Sequence, residues 1–77
     1  MKELIEFIAK SLVEKPENVQ ISEEHGEDGS ILIKLAAAQD DMGRIIGKQG
    51  RTAKAMRTLL NAKATRENRR AMLQIME

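Results

Sequence analysis

The sequence contains no cysteine, tryptophan or tyrosine, and only one phenylalanine, one proline and one histidine in 77 residues. Without cysteine the chain has no disulfide, no zinc ribbon and no thiol nucleophile, which fits a reducing cytoplasm. Phe7 is the only aromatic residue and falls in a helical apolar stripe expected to bury it, so no stacking platform is left for a ligand. His25 sits in an acidic, glycine-containing segment and reads as a solvated turn residue rather than a base or a metal ligand. Long apolar runs are missing as well. The longest, Leu35 to Ala38, is far too short to span a bilayer, and acidic residues interrupt the apolar positions near the N-terminus, unlike a signal peptide. A soluble, unprocessed cytoplasmic protein with no membrane role is expected.

What is present comes from a short chain with a modest core. A chain of this length buries only ~60–65% of the surface its unfolded form exposes, so one domain over 1–77 is expected, with no room for a catalytic subdomain. The net charge of +1 conceals a division. Residues 1–30 carry three lysines against eight acids, whereas residues 31–77 carry ten lysines and arginines against four acids. In a compact fold that division makes one face attractive to polyanions and another repulsive.

Leu4, Ile5, Ile8 and Leu12 fall at helical spacing, widened by Phe7 and Val13, and predict a helix over residues 2–14 that Pro16 stops. Val19 and Ile21 alternate with polar residues as a short strand; glycines and acids from His25 to Gly29 give a turn; Ile31, Ile33 and Leu35 mark a second strand antiparallel to the first. Asp40 is placed to cap a short helix over 41–46, with Met42, Ile45 and Ile46 as its buried stripe. From Arg51 to about Thr65 the residues favour helix, with Ala53, Met56, Leu60 and Ala64 on one face, Leu59 at its edge, and Arg51, Lys54 and Arg57 on another. Ala71, Leu73 and Ile75 alternate with Met72, Gln74 and Met76 as a last strand.

Between the two later helices lies Ile45-Ile46-Gly47-Lys48-Gln49-Gly50-Arg51, a Gly-x-x-Gly turn preceded by an aliphatic pair and followed by Lys54. Glycine at both corners allows a sharp turn and a close approach by a ligand, and Lys48, Arg51 and Lys54 surround it with positive charge. This pattern resembles the signature of the KH domain. The order α-β-β-α-α-β is similar to the type II arrangement, an α+β fold with three helices packed on one face of a three-stranded mixed sheet. The start Met-Lys-Glu-Leu and the Asp-Met-Gly before the aliphatic pair are similar to the small bacterial single-KH proteins of the KhpA family. Ala53 stands where many KH domains have a larger aliphatic residue.

The resemblance implies binding of single-stranded RNA, with four nucleotides clamped at the turn. Amides of Lys48 to Arg51 are expected to point outward at the phosphates. Gly47 and Gly50 would permit close contact, Lys48 would add charge and Gln49 a neutral hydrogen-bonding group. Ile45 or Ile46, with Ala53, Lys54 and Ala55, would line a shallow groove for bases, and Arg44 and Arg57 are further candidates. The resemblance also implies a bacterial RNA chaperone or post-transcriptional regulator linked to cell elongation, division and shape, self-association as a homodimer, and pairing with a larger KH-containing protein of the KhpB/Jag type.

The bland alternatives differ in force. Gly43 to Lys48 mimics a phosphate-binding loop, but has three residues between the glycines instead of four, and Gln49 where Ser or Thr would hold magnesium. Glu23, Glu24, Glu27 and Asp28 fit no calcium loop. No enzyme activity, cofactor or metal is expected. A rival from another class is a KH-shaped docking module that uses its helices or last strand for protein contacts and has no direct RNA role.

Overall fold

The computed structural model describes residues 1–76; Glu77, the last residue of the domain expected over 1–77, lies outside the described residues. Its elements are α1 (Lys2–Leu12), β1 (Gln20–His25), β2 (Ile31–Ala36), α2 (Met42–Ile46), α3 (Arg51–Arg66) and β3 (Ala71–Ile75), with single 3₁₀ turns at Pro16–Asn18 and Gln39–Asp41. This is the α-β-β-α-α-β order of the type II KH fold. The sheet is mixed, in the order β1-β2-β3, with β1 antiparallel and β3 parallel to β2.

Register explains the single buried face. Ile21, Leu35 and Ile75 lie side by side, as do Glu23, Ile33 and Leu73, and then His25, Ile31 and Ala71. Side chains alternate between faces along a strand, so all of these point to one side. There Ile31, Ile33, Leu35, Ala71 and Leu73 join Ile5 and Ala9 of α1, Ile45 of α2, and Met56, Leu60 and Ala64 of α3 in one core. The opposite face carries Leu32 and Lys34, half-buried, beside exposed Met72 and Gln74. No described helix is long and apolar enough to cross a membrane.

Four local expectations are corrected. Phe7 is exposed to 73%, not buried. It lies two residues from both Ile5 and Ala9, which define the packed line of α1, and two residues turn a helix by about 200°. The helix α1 ends at Leu12, with Val13 already extended. The next amides, of Glu14 and Lys15, donate at 3.1 and 3.0 Å to the Asp41 carboxylate instead of continuing the helix. Strand β1 runs on to His25, so His25 is a strand residue opposite Ile31. Side-chain pairing sustains this acidic stretch: Lys34 forms an ion pair with Glu24 at 2.8 Å, and His25 Nε2 hydrogen-bonds Glu23 at 2.7 Å. The hydrogen bond from His25, aided by the Lys2 amide and the N-terminal ammonium, holds the Glu23 carboxyl below its ordinary value. Finally, α2 begins at Met42, and Asp40 makes no side-chain cap there. Its carboxylate takes the Lys15 ammonium at 2.9 Å, which holds its pKa below the ordinary value, with smaller help from nearby backbone amides.

Candidate nucleic-acid interface

Chain direction reverses between α2 and α3 through two tight backbone steps. The Gly47 amide donates to Gly43 O at 2.8 Å and closes α2, and the Gly50 amide donates to Gly47 O at 3.1 Å. The Arg51 amide then donates to Lys48 O across Gln49 (φ 59°, ψ 27°) and Gly50 (φ 73°, ψ 13°). Two successive left-handed residues spanned by that bond form a type I′ turn. Glycine suits the second position, but Gln49 holds a conformation that L-residues adopt at a cost of roughly 1–2 kcal/mol. Asparagine tolerates it better, so Gln49→Asn is expected to stabilise the fold by about 0.5–1 kcal/mol in urea denaturation. A loss of stability would contradict the turn geometry.

The turn uses more of its own amides than the sequence suggests. Of the four N–H groups from Lys48 to Arg51, those of Gly50 and Arg51 are satisfied within the turn; those of Lys48 and Gln49 have no partner among the described residues. Any anion met by the backbone here therefore meets two amides, not four. The Lys48 and Gln49 side chains are exposed.

The other candidate residues separate into three groups. Lys48, Arg51 and Lys54 are exposed and form no ion pair among the described residues. Arg44 and Arg57 are engaged: Arg44 pairs with Glu14 and, through Nε at 3.3 Å, with Asp41, while Arg57 Nε donates to Leu73 O at 3.4 Å. Ile45 and Ala53 are only 0% and 4% exposed, so they are packing beneath the turn and offer a ligand almost no surface. Of the aliphatic pair, half-buried Ile46 is the one that reaches solvent. A depression of about 250 Å³ lies farther along α3, lined by Arg57, Leu60 and Asn61 with Ala71, Met72 and Leu73 of β3.

Charge is arranged on one side of this region. Between Asp41 and Glu67 the chain has no acidic residue, and Glu67 is taken by Lys63 at 3.4 Å. Outside its buried face α3 therefore presents no acidic group, only cations, neutral polar groups and the apolar Ala55, Leu59 and Ala62. The profile of the KH domain family KhpA/KhpB matches residues 2–75. The chain belongs to that family. It is 53% identical over 75 residues to the RNA-binding protein KhpA of Clostridium perfringens, covering 97% of this chain and 99% of that protein. Identity is 49% to the KhpA of Halalkalibacterium halodurans over the whole of both chains. It is 51% to the KhpA of Chlamydia pneumoniae, covering 100% of this chain and 97% of that one. Both of these relatives also carry the name RNA-binding protein.

One residue that positions this family turn is not apparent from the sequence. Asp41 is 2% exposed and accepts from the amides of Glu14 and Lys15 while pairing with Arg44. It ties the end of α1 to the start of α2, and so fixes the helix that leads into Gly47. In the sequence it stands out only beside Asp40 and as the first residue of Asp-Met-Gly, and neither points to this role. Asp41→Asn exchanges an acceptor for a donor facing these amides and is expected to cost about 2 kcal/mol of stability. A urea midpoint unchanged from wild type would show that the amides find other acceptors.

Proposed function

We propose that this chain binds single-stranded RNA at the Gly47–Gly50 turn with little base preference, and serves as a bacterial cytoplasmic RNA chaperone or post-transcriptional regulator in cell elongation and division. The observation that carries this reading is the exposed turn flanked by Lys48, Arg51 and Lys54, none with a carboxylate partner among the described residues. The names of the curated relatives support it.

Binding is electrostatic and steric. Phosphates meet the free amides of Lys48 and Gln49 and the three cations, and the N-terminal end of the 16-residue helix α3 adds partial positive charge. Bases contribute little discrimination, because neither the turn nor α3 contains an aromatic residue. Single strands are favoured because a shallow site needs unstacked bases, which an A-form duplex does not present. One such site is weak, so a homodimer, or a complex with a larger KhpB-type protein, would raise affinity by placing two turns on one strand. The exposed Leu59 and Met72, at 51% and 67%, are surfaces for such pairing; they also favour the docking-module reading.

An NMR titration with a mixed-sequence single-stranded RNA separates the two readings. Amide shifts are expected to cluster from Gly47 to Lys54, and affinity should fall with salt at a logarithmic slope of about −2 if some three phosphates are neutralised. Shifts confined to α1, or an affinity indifferent to salt, would overturn the proposal.

A further inference from the structure

A second basic cluster lies at the far end of α3. The helix closes in a Schellman arrangement: the Asn68 amide donates to Thr65 O at 3.1 Å, the Arg69 amide to Ala64 O at 2.8 Å, and Asn68 takes the left-handed conformation (φ 57°). The following residue is fixed to the sheet, since Arg70 O accepts from the Ile31 amide at 2.8 Å. Arg69 and Arg70 therefore project from a backbone held by both the helix end and the sheet, and both are exposed.

Three depressions connect this pair to Arg57, midway along α3. The one beside Arg57 is lined by Asn61, Ala71 and Met72; a second, of about 410 Å³, shares those three residues and adds Thr65, Arg69 and Arg70. A third, of about 470 Å³, shares Thr65, Arg69 and Arg70 and ends at Asn68 and Gly29. They form a continuous shallow track between α3 and the β3 side of the sheet. Its helix wall, from Arg57 to Thr65, is free of acids and runs about 12 Å along α3.

We infer that Arg69 and Arg70 form a second phosphate-contact site, which holds the part of an RNA strand that runs along α3 beyond the nucleotides at the Gly47–Gly50 turn. This rests on the proposed RNA-binding function and deepens it: the preferred ligand is a longer single strand, not a tetranucleotide. Two polar neighbours bear on the site. Arg69 Nη2 lies 3.3 Å from His25 Nδ1, a contact that occupies one of the guanidinium's five N–H donors. Asp28 lines the second and third depressions, but its Oδ1 accepts from the Ser30 amide at 3.0 Å and is held in its own turn. Two arginines outweigh this one carboxylate.

The test uses fluorescein-labelled oligouridylates of about 4 and about 12 nucleotides, chosen to cover the turn alone or the turn and the track. Wild type is expected to bind the longer strand more tightly. In Arg69→Gln/Arg70→Gln that advantage should fall about tenfold and the logarithmic salt slope flatten by about 1.4, since each phosphate contact contributes about 0.7 for a single strand. Affinity for the short strand should stay unchanged, and Arg69→Lys/Arg70→Lys should retain most of the gain. A folded glutamine variant that keeps the wild-type length dependence overturns the inference and assigns the gain to a second turn in a dimer. Equal losses for both lengths also overturn it, because the pair then acts on the fold. Failure of wild type to bind either strand removes the RNA-binding proposal itself, and this one with it.

Discussion

Replacing Lys48 and Gln49 together with aspartate is expected to weaken RNA binding by about two orders of magnitude and to leave the fold in place. Both side chains are exposed, and neither forms an ion pair or side-chain hydrogen bond among the described residues. The left-handed position of Gln49 accepts aspartate at least as well as glutamine, so the turn keeps its geometry. The electrostatic change is large. Lys48, Arg51 and Lys54 carry three positive charges, and the double variant removes one while adding two negative charges beside the two free amides. Unit charges about 4 Å apart interact by about 1 kcal/mol in water and about 4 kcal/mol near a protein surface, so a loss of roughly a hundredfold in affinity is expected. Fluorescence anisotropy with a 12-nucleotide strand measures the loss, and the amide spectrum verifies the fold. Undiminished affinity in a folded double variant would move the site away from this turn.

The pattern of buried residues is legible in the sequence wherever periodicity and packing agree. Ile31, Ile33 and Leu35 alternate in sequence and are 2%, 0% and 0% exposed, and the four residues on the inner face of α3 are all buried. The glycine spacing locates the turn between two helices. Features set by long-range partners are not legible. Phe7 counts as apolar in any periodicity, but α1 packs on the core through Ile5 and Ala9, with Ile8 beside them, and Phe7 stands outside that line. Asp41 and Arg44 look like surface residues until the fold brings Glu14 and Lys15 beside them, 26 or more positions away in sequence. For the same reason Arg44 reads as a free cation in the sequence and is engaged by two carboxylates in the structure. Amide availability at Gly50 and Arg51 depends on two successive turns, closed at Gly47 O and Lys48 O, which a Gly-x-x-Gly pattern alone does not specify.

The two glycines of that pattern have different jobs, and substituting them separately should produce opposite failures. Gly47 has φ 78° and ψ 170°, a region essentially restricted to glycine. A Cβ there would lie 2.2 Å from Thr52 Oγ1 and 2.8 Å from Thr52 N, and that backbone nitrogen cannot move without displacing the first turn of α3. Strain and overpacking, each about 1–3 kcal/mol, place the cost of Gly47→Ala near 4 kcal/mol. Against the ~4–11 kcal/mol expected for a chain of this size, this consumes much or all of the stability, and should lower the melting temperature by about 20 °C. Gly50, in contrast, has nothing within 4 Å of the place a Cβ would occupy, so Gly50→Ala meets only the left-handed backbone cost of about 1 kcal/mol. The added methyl would stand on the open side of the turn, where the phosphate is expected, and should weaken RNA binding several-fold in a protein that still folds. Thermal melts and anisotropy on the two variants test the division of labour. A Gly47→Ala protein as stable as wild type would show that α3 yields to the clash, and a Gly50→Ala protein with full affinity would show that the strand does not pass over this corner.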